Sequence, residues 1–378
     1  MKIGFVSVIK ENWGGSEEIM YAIAKEALKA GHEVYVSLFA TDKIHDKHKE
    51  LIASGAKYSF RRGYIVPNIK PIRRQITKVK NFVLDAIFNP YADFLSNKLD
   101  FIFYNNTAYA YIFDKKLFDA IILKSIPYSI ITQGATEYYR PYSNLDIPYM
   151  QSVHRNAKLN YFLSSNTKTT LERQIGATIN NFKYFTNPVN IDSLEYIDMP
   201  KNDTVNFATV AMLLVVQKGQ DMLFETLSKP EWKNRKWVLN LYGAGPDEAF
   251  LKNLSKYYKI DEKVIFHGKV SNIRKVWETN HILVMPSIFE GMPLAMVEAM
   301  ICGRPIITTD IAAHSEWIFE EKNGFLAAAP TEKYFNKALQ KAWDLRDTWS
   351  NLGREGRKIA LKKFNPDDPY NMLKENID

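Results

Sequence analysis

An α/β chain built from two Rossmann-like domains facing across a cleft is the fold class this sequence predicts, and three observations predict it. The chain opens on an apolar run, Lys2-Ile3-Gly4-Phe5-Val6-Ser7-Val8, that feeds a glycine turn and then a helical pattern. A second series of apolar runs and helical stretches begins afresh at Asn206. The length of 378 residues exceeds what one ordinary core organises, and an apolar content of 46% supplies side chains for two.

The elements follow in order. Trp13-Gly14-Gly15-Ser16 reads as a turn and residues 17–30 as a helix that Gly31 ends, after which His32-Glu33-Val34-Tyr35-Val36-Ser37-Leu38 completes a βαβ unit. Phe101-Ile102-Phe103-Tyr104, Tyr128-Ser129-Ile130-Ile131-Thr132 and Tyr161-Phe162-Leu163-Ser164 read as further parallel strands of a first domain over residues 1–190. Asn187-Pro188-Val189-Asn190 and the polar run 198–203 mark the hinge. The second domain, residues 191–363, has strands expected at Asn206-Phe207-Ala208-Thr209-Val210, Trp237-Val238-Leu239-Asn240-Leu241-Tyr242, Val264-Ile265-Phe266-His267, His281-Ile282-Leu283-Val284-Met285 and Pro305-Ile306-Ile307-Thr308. A basic helical stretch closes it, and residues 364–378 form a terminal segment. Parallel sheets of this kind bind ligands beyond the carboxyl ends of their strands.

Composition narrows the setting. No apolar run reaches the roughly 18 residues that a membrane-spanning helix needs, and the opening strand lacks a basic leader and a cleavage site behind it. The lone cysteine, Cys302, rules out an intrachain disulfide and a cysteine-rich metal site, and the seven histidines show no metal spacing. His45 and His48 lie in a charged stretch and are expected to be solvated. The expectation is a cytoplasmic protein without a metal. The net charge of +8 is uneven, because Lys57, Arg61, Arg62, Lys70, Arg73, Arg74, Lys78 and Lys80 fall in a stretch free of Asp and Glu and interleaved with aromatic and branched residues. Residues 57–80 therefore read as a peripheral contact with anionic lipid on the inner face of the membrane, as a solvated basic face, or as an arm for a charged acceptor. Nucleic acid is not expected, since no recognised nucleic-acid module accompanies the charge.

The chemistry concentrates in one stretch. Phe289-Glu290-Gly291-Met292-Pro293-Leu294-Ala295-Met296-Val297-Glu298 reads as a turn entering a helix, with Pro293 in the first helical turn and Gly303 as the stop. A helix start offers free N–H groups and partial positive charge to a phosphate, while carboxylates at the turn and one turn inside the helix accept hydrogen bonds from sugar hydroxyls. One loop thus has the means to hold a nucleotide sugar.

With its two glutamates separated by seven residues, this stretch resembles the signature of the large retaining glycosyltransferase family with the GT-B fold, glycosyltransferase family 4 or glycosyl transferases group 1. The resemblance extends to Gly14-Gly15-Ser16-Glu17, Gln217-Lys218-Gly219-Gln220-Asp221, Leu241-Tyr242-Gly243-Ala244-Gly245-Pro246 and Gly324-Phe325-Leu326. It implies transfer of a sugar from a nucleotide-sugar donor (UDP-, GDP- or another) to a glycan or lipid-linked acceptor, in cell-surface polysaccharide or glycolipid biosynthesis, with no further cofactor. It implies that the last segment packs back toward the first domain. By the same resemblance Glu290 binds the transferred sugar and steadies charge developing on its ring, Glu298 binds ribose, and Lys218 and the Gly14-Gly15 loop meet the diphosphate. Gly243, Gly245, Val270, Gly291, Met292, Pro293 and Leu294 frame the donor, while Ser16, Glu137 and His314 are acceptor-side candidates.

Two departures stand out. Relatives usually carry an arginine a few residues before the lysine, where this chain has Met212 in Val210-Ala211-Met212-Leu213; Arg274 is a conceivable substitute. Relatives often have a donor-contacting histidine where this chain has Gln133, which hydrogen-bonds but does not titrate near neutral pH. Met212 motivates a second reading, a nucleotide-sugar-binding pseudoenzyme or membrane-docked scaffold of the same fold.

Overall fold

The computed structural model describes residues 1–10, 12–62, 80, 84, 87–106, 109–137 and 142–377. The chain divides into two units, Met1–Pro188 with Pro366–Asp378, and Val189–Asn365.

The first unit is built on a seven-stranded sheet in the order β3-β2-β1-β4-β5-β6-β7. Its strands are β1 (Lys2–Ser7), β2 (Glu33–Phe39), β3 (Lys57–Arg61), β4 (Phe101–Asn106), β5 (Tyr128–Thr132), β6 (Asn160–Phe162) and β7 (Phe182–Tyr184). Every pairing is parallel. Parallel sheets carry helices on both faces, which is why β4 and β5 are buried at every position instead of alternating. The helix Glu17–Lys29 lays Ile19, Met20, Ile23, Ala24 and Ala27 into the core at helical spacing. Strand order reverses between β1 and β4, so the Gly14-Gly15 turn leaves β1 at the switch point where such sheets bind ligands. The helix Asp368–Ile377 docks onto this unit through Asn376, which accepts from Ser129 Oγ (2.6 Å) and donates to Tyr161 Oη (2.8 Å).

Three expectations for this unit need correction. Arg61, read as a surface cation, is 3% exposed: it ends β3, stacks over the Phe39 and Tyr91 rings (4.3 and 4.6 Å) and donates to the Ser7 carbonyl. Lys57 is offset by Glu33 of the neighbouring strand at 2.9 Å, a partner that inspection of the local sequence cannot supply. His48 is buried, with Nδ1 3.1 Å from Tyr58 Oη, and burial lowers its pKa to about 4; His45 caps the helix Asp46–Ala53 and stacks on Trp13. The remainder of the basic stretch, residues 63–79, lies outside the described residues.

The second unit carries a six-stranded parallel sheet, β10-β9-β8-β11-β12-β13. Its strands are β8 (Val205–Val210), β9 (Trp237–Tyr242), β10 (Val264–Gly268), β11 (Ile282–Met285), β12 (Ile306–Thr309) and β13 (Gly324–Ala327). Phe207, Trp232, Trp237, Leu239, Ile282 and Phe325 belong to one buried cluster. Here too the order reverses, between β8 and β11, and the loops that leave those two strands carry Lys218 and Glu290. Among the described residues no helix is long and apolar enough to cross a membrane.

Candidate functional site

The second unit brings Lys218 and Glu290 together across 72 positions of sequence. Lys218 ends the short helix Val215–Lys218 and is followed by Gly219 in the left-handed region, φ +61°. A Cβ at Gly219 would lie 2.1 Å from the Pro286 carbonyl oxygen, so only glycine lets the two loops touch. The Ile288 and Phe289 amides then donate to the Gln217 carbonyl at 2.8 and 3.1 Å, locking the loops side by side. The outcome is an ion pair, Lys218 Nζ to Glu290 Oε1 at 2.6 Å, with the side chains 18% and 9% exposed.

Glu290 is held from behind. Ser287 Oγ donates to the same Oε1 at 2.9 Å, and Thr309 Oγ1 donates to the Ser287 carbonyl at 2.5 Å. Both bonds fall on Oε1, leaving Oε2 without a hydrogen bond among the described residues. Neither Ser287 nor Thr309 was anticipated from sequence; a Ser three residues before a turn carboxylate is the local signal that points to one of them.

His314, an acceptor-side candidate, is wholly buried at the start of the helix His314–Trp317. Its Nδ1 lies 2.8 Å from the Thr309 carbonyl, an acceptor only, so Nδ1 carries the proton and Nε2 the lone pair. Burial lowers its pKa, and Nε2 is enclosed without a partner among the described residues.

Beyond Glu290 the helix runs Leu294–Ile301, with Pro293 as its N-cap and not within its first turn as the sequence suggested. Proline has no side-chain oxygen to cap with, so the N-cap residue leaves the first turn uncapped. Met292 and Pro293 are buried, Gly291 and Leu294 half-buried. Glu298 is 3% exposed and its Oε1 accepts from the Asn190 amide at 2.8 Å, a contact that ties the helix to the start of this unit. Gly243, φ +143°, and Gly245 let their loop lie on the 211–213 backbone: added Cβ atoms would fall 1.9 Å from the Ala211 oxygen and 2.2 Å from that of Leu213. Gly243 also donates to the Gly268 carbonyl at 2.8 Å, close in sequence to half-buried Val270. Met212 is 43% exposed beside this loop. Arg274 is not its substitute: it donates to the Ser193 and Glu195 carbonyls at 2.7 and 2.8 Å.

The first unit holds the remaining candidates. The Gly14-Gly15-Ser16 turn enters its helix with the Glu17 amide donating to the Gly14 carbonyl at 2.9 Å. Gln133 is 8% exposed and its amide is fully engaged: Nε2 donates to the Ser16 carbonyl (3.2 Å) and Asn105 Oδ1 (3.0 Å), and Oε1 accepts from Asn187 Nδ2 (3.0 Å). It holds the glycine turn in place. Glu137 is exposed and accepts from Asn166 Nδ2 at 3.0 Å. Sequence reading passed over Glu17, which is fully buried with Oε1 accepting from Ser7 Oγ and Asn105 Nδ2 at 2.9 and 3.1 Å. Desolvation raises its pKa from 4.5 to about 7, and its Oε2 has no partner among the described residues. No group of His, Cys, Asp and Glu suited to a metal ion occurs among the described residues.

Residues 198–359, which contain Lys218, Glu290 and Glu298, match the family described as Glycosyl transferases group 1. The resemblance read from the sequence is thus shown over residues 198–359. A glycosyltransferase of Haemophilus influenzae is 32% identical to this chain over 133 residues, 34% of this chain and 38% of that relative. EpsD of Bacillus subtilis, a putative glycosyltransferase, is 29% identical over 149 residues, 39% of each chain. The chain thus spans under half the length of these relatives. Among solved structures, HepE of Anabaena in complex with UDP and glucose superposes with a TM-score of 0.73 at 18% identity, over 99% of this chain and 98% of that one. The chain therefore has the GT-B fold of this neighbour.

Proposed function

We propose that this chain is a retaining glycosyltransferase that moves a sugar from a nucleotide-sugar donor to a hydroxyl of a glycan or lipid-linked acceptor, in the building of cell-surface polysaccharide or glycolipid at the cytoplasmic face of the membrane. The observation that carries the reading is the Lys218–Glu290 pair beside a helix start whose N-cap residue, Pro293, supplies no capping side chain. The donor diphosphate takes Lys218 and the first N–H groups of the helix Leu294–Ile301, which stabilise the charge that grows as the glycosidic bond breaks. Glu290 Oε2 accepts from the sugar and steadies positive charge on its ring. The acceptor hydroxyl attacks the anomeric carbon on the face the leaving group vacates, and its proton passes to the departing phosphate oxygen. Glu298 supports the ribose end of the donor while fastening its helix to Asn190. HepE, a structural neighbour, is complexed with UDP and glucose, which supports a nucleotide-sugar donor here.

Turnover of a panel of UDP- and GDP-sugars with the purified chain tests this, with the anomeric configuration of the product read by NMR. Inversion at the anomeric carbon overturns the retaining assignment, and absence of both turnover and nucleotide binding overturns the whole reading. Met212 favours one alternative, a pseudoenzyme, and saturable donor binding without transfer or donor hydrolysis would establish it.

A further inference from the structure

The second unit has a recess of about 550 Å³ that none of the donor-site residues lines. Its walls include Tyr196, Arg354, Glu355, Arg357, Lys358 and Leu361, from the opening segment of this unit and from the helix Trp349–Lys363. Two of its guanidinium groups are held in place by the fold. Tyr196 packs on Gly303, φ +80°, where an added Cβ would lie 2.2 Å from the tyrosine ring, and the Arg354 guanidinium stacks over that ring at 4.7 Å. Arg357 Nη1 donates to the carbonyls of Ile301, at 2.6 Å, and Leu194, which fixes the root of its fork.

The charges do not cancel. Lys358 is paired with Glu355 at 2.6 Å, whereas neither Arg354 nor Arg357 has a carboxylate within ion-pair distance among the described residues. The Nε and Nη2 atoms of Arg357 make no hydrogen bond among the described residues. Tyr196 Oη is enclosed without a partner there as well. Two positioned planar forks with unmatched positive charge suit a tetrahedral oxyanion, because the ordering of long side chains that usually opposes such binding is already met by the fold. The volume lies in the range of small-molecule sites and exceeds a bare phosphate, which leaves room for an organic part beside it.

We propose that this recess is a second anion site, separate from the donor site, that binds a phosphomonoester, either a free phosphorylated molecule or a phospholipid headgroup. It stands independently of the glycosyltransferase reading, since it uses none of the donor-site residues. The helix Leu294–Ile301 joins the two places: its first turn lies beside Glu290, and its last carbonyl is held by Arg357.

Isothermal titration with glycerol 3-phosphate, and sedimentation with phosphatidylcholine vesicles with and without phosphatidic acid, test the site in the parent chain, in Arg354→Gln and in Lys218→Ala. Arg354 is exposed, so its loss should leave the fold intact, which the thermal midpoint verifies. Saturable binding that survives in Lys218→Ala and weakens about tenfold or more in Arg354→Gln is the expected result. Binding of the soluble ester without vesicle binding identifies a free ligand, and Arg354-dependent sedimentation with phosphatidic acid identifies a headgroup. Failure of the parent to bind either probe overturns the proposal, as does binding unaffected by Arg354→Gln or abolished by Lys218→Ala.

Discussion

Replacing Glu290 by Gln should separate donor binding from catalysis in opposite directions. In the resting protein the ammonium proposed to meet the diphosphate is bound to Glu290 at 2.6 Å, and both side chains are largely buried. At an effective dielectric of about 20 the gross attraction at that distance is about 6 kcal/mol, and a charge-assisted hydrogen bond of this kind is worth about 1.5–3 kcal/mol net. A diphosphate must draw Lys218 away from this partner and also approaches the negative charge of Glu290. Glutamine keeps the hydrogen bond from Ser287 but removes both obstacles, so affinity for a free nucleoside diphosphate should rise about 10- to 100-fold. Transfer should fall by about 100- to 1000-fold, the usual consequence of losing a group that meets charge developing in the transition state. Titration calorimetry with UDP and GDP gives the first quantity, and release of nucleoside diphosphate from a matched donor gives the second. Weaker nucleotide binding by Glu290→Gln would refute the competition, and near-normal turnover would remove Glu290 from the reacting centre.

Lys218→Ala should nearly abolish donor binding, while Met212→Arg should strengthen it by about tenfold or raise turnover; unchanged affinity in both variants, measured by calorimetry, would sink the assignment of Lys218 to the diphosphate. Gly219→Ala should destabilise the chain by about 1–3 kcal/mol through its left-handed backbone and the Pro286 carbonyl, and should lower turnover more than Glu298→Gln lowers it, because it parts Lys218 from Glu290. Glu17 binds its proton more tightly when folded, at about pH 7 against 4.5, so its contribution is full below pH 4.5 and is lost as pH rises through 7, a difference of about 3 kcal/mol. Glu17→Gln should accordingly gain stability relative to the parent between pH 5 and 8 in denaturant titrations, and a constant difference over that range would contradict the buried charge.

The parts legible in the sequence were those written in short windows. The Gly14-Gly15 turn, the helix that follows it and the Glu290–Glu298 spacing each depend on residues within about three turns of helix, where turn chemistry and periodicity apply directly. Pro293 shifts by one position, since proline fits both the first turn and the residue before it. Arg61 shows what local reading misses: the register of β3 against β2 and the aromatic rings of Phe39 and Tyr91 decide that it turns inward, and those residues are remote in sequence. His48 fails for the same reason, because Tyr58 lies on a strand that the basic stretch concealed.

The meeting of Lys218 with Glu290 is the long-range feature on which the site depends, and its determinants are not charged residues. It follows from the adjacency of β8 and β11, which carries their loops to one end of the sheet, and from Gly219, which lets one loop touch the Pro286 carbonyl of the other. Once the pair forms with Met212 in place of an arginine, the Lys218 ammonium is balanced by the Glu290 carboxylate. An arginine at 212 would add a positive charge beside the Gly243–Gly245 loop that the Lys218–Glu290 pair does not offset. On the proposed reading, Lys218 reaches the donor only by opening its ion pair with Glu290. On that reading its affinity for nucleotide is set by the difference between two charge-assisted contacts to the same lysine.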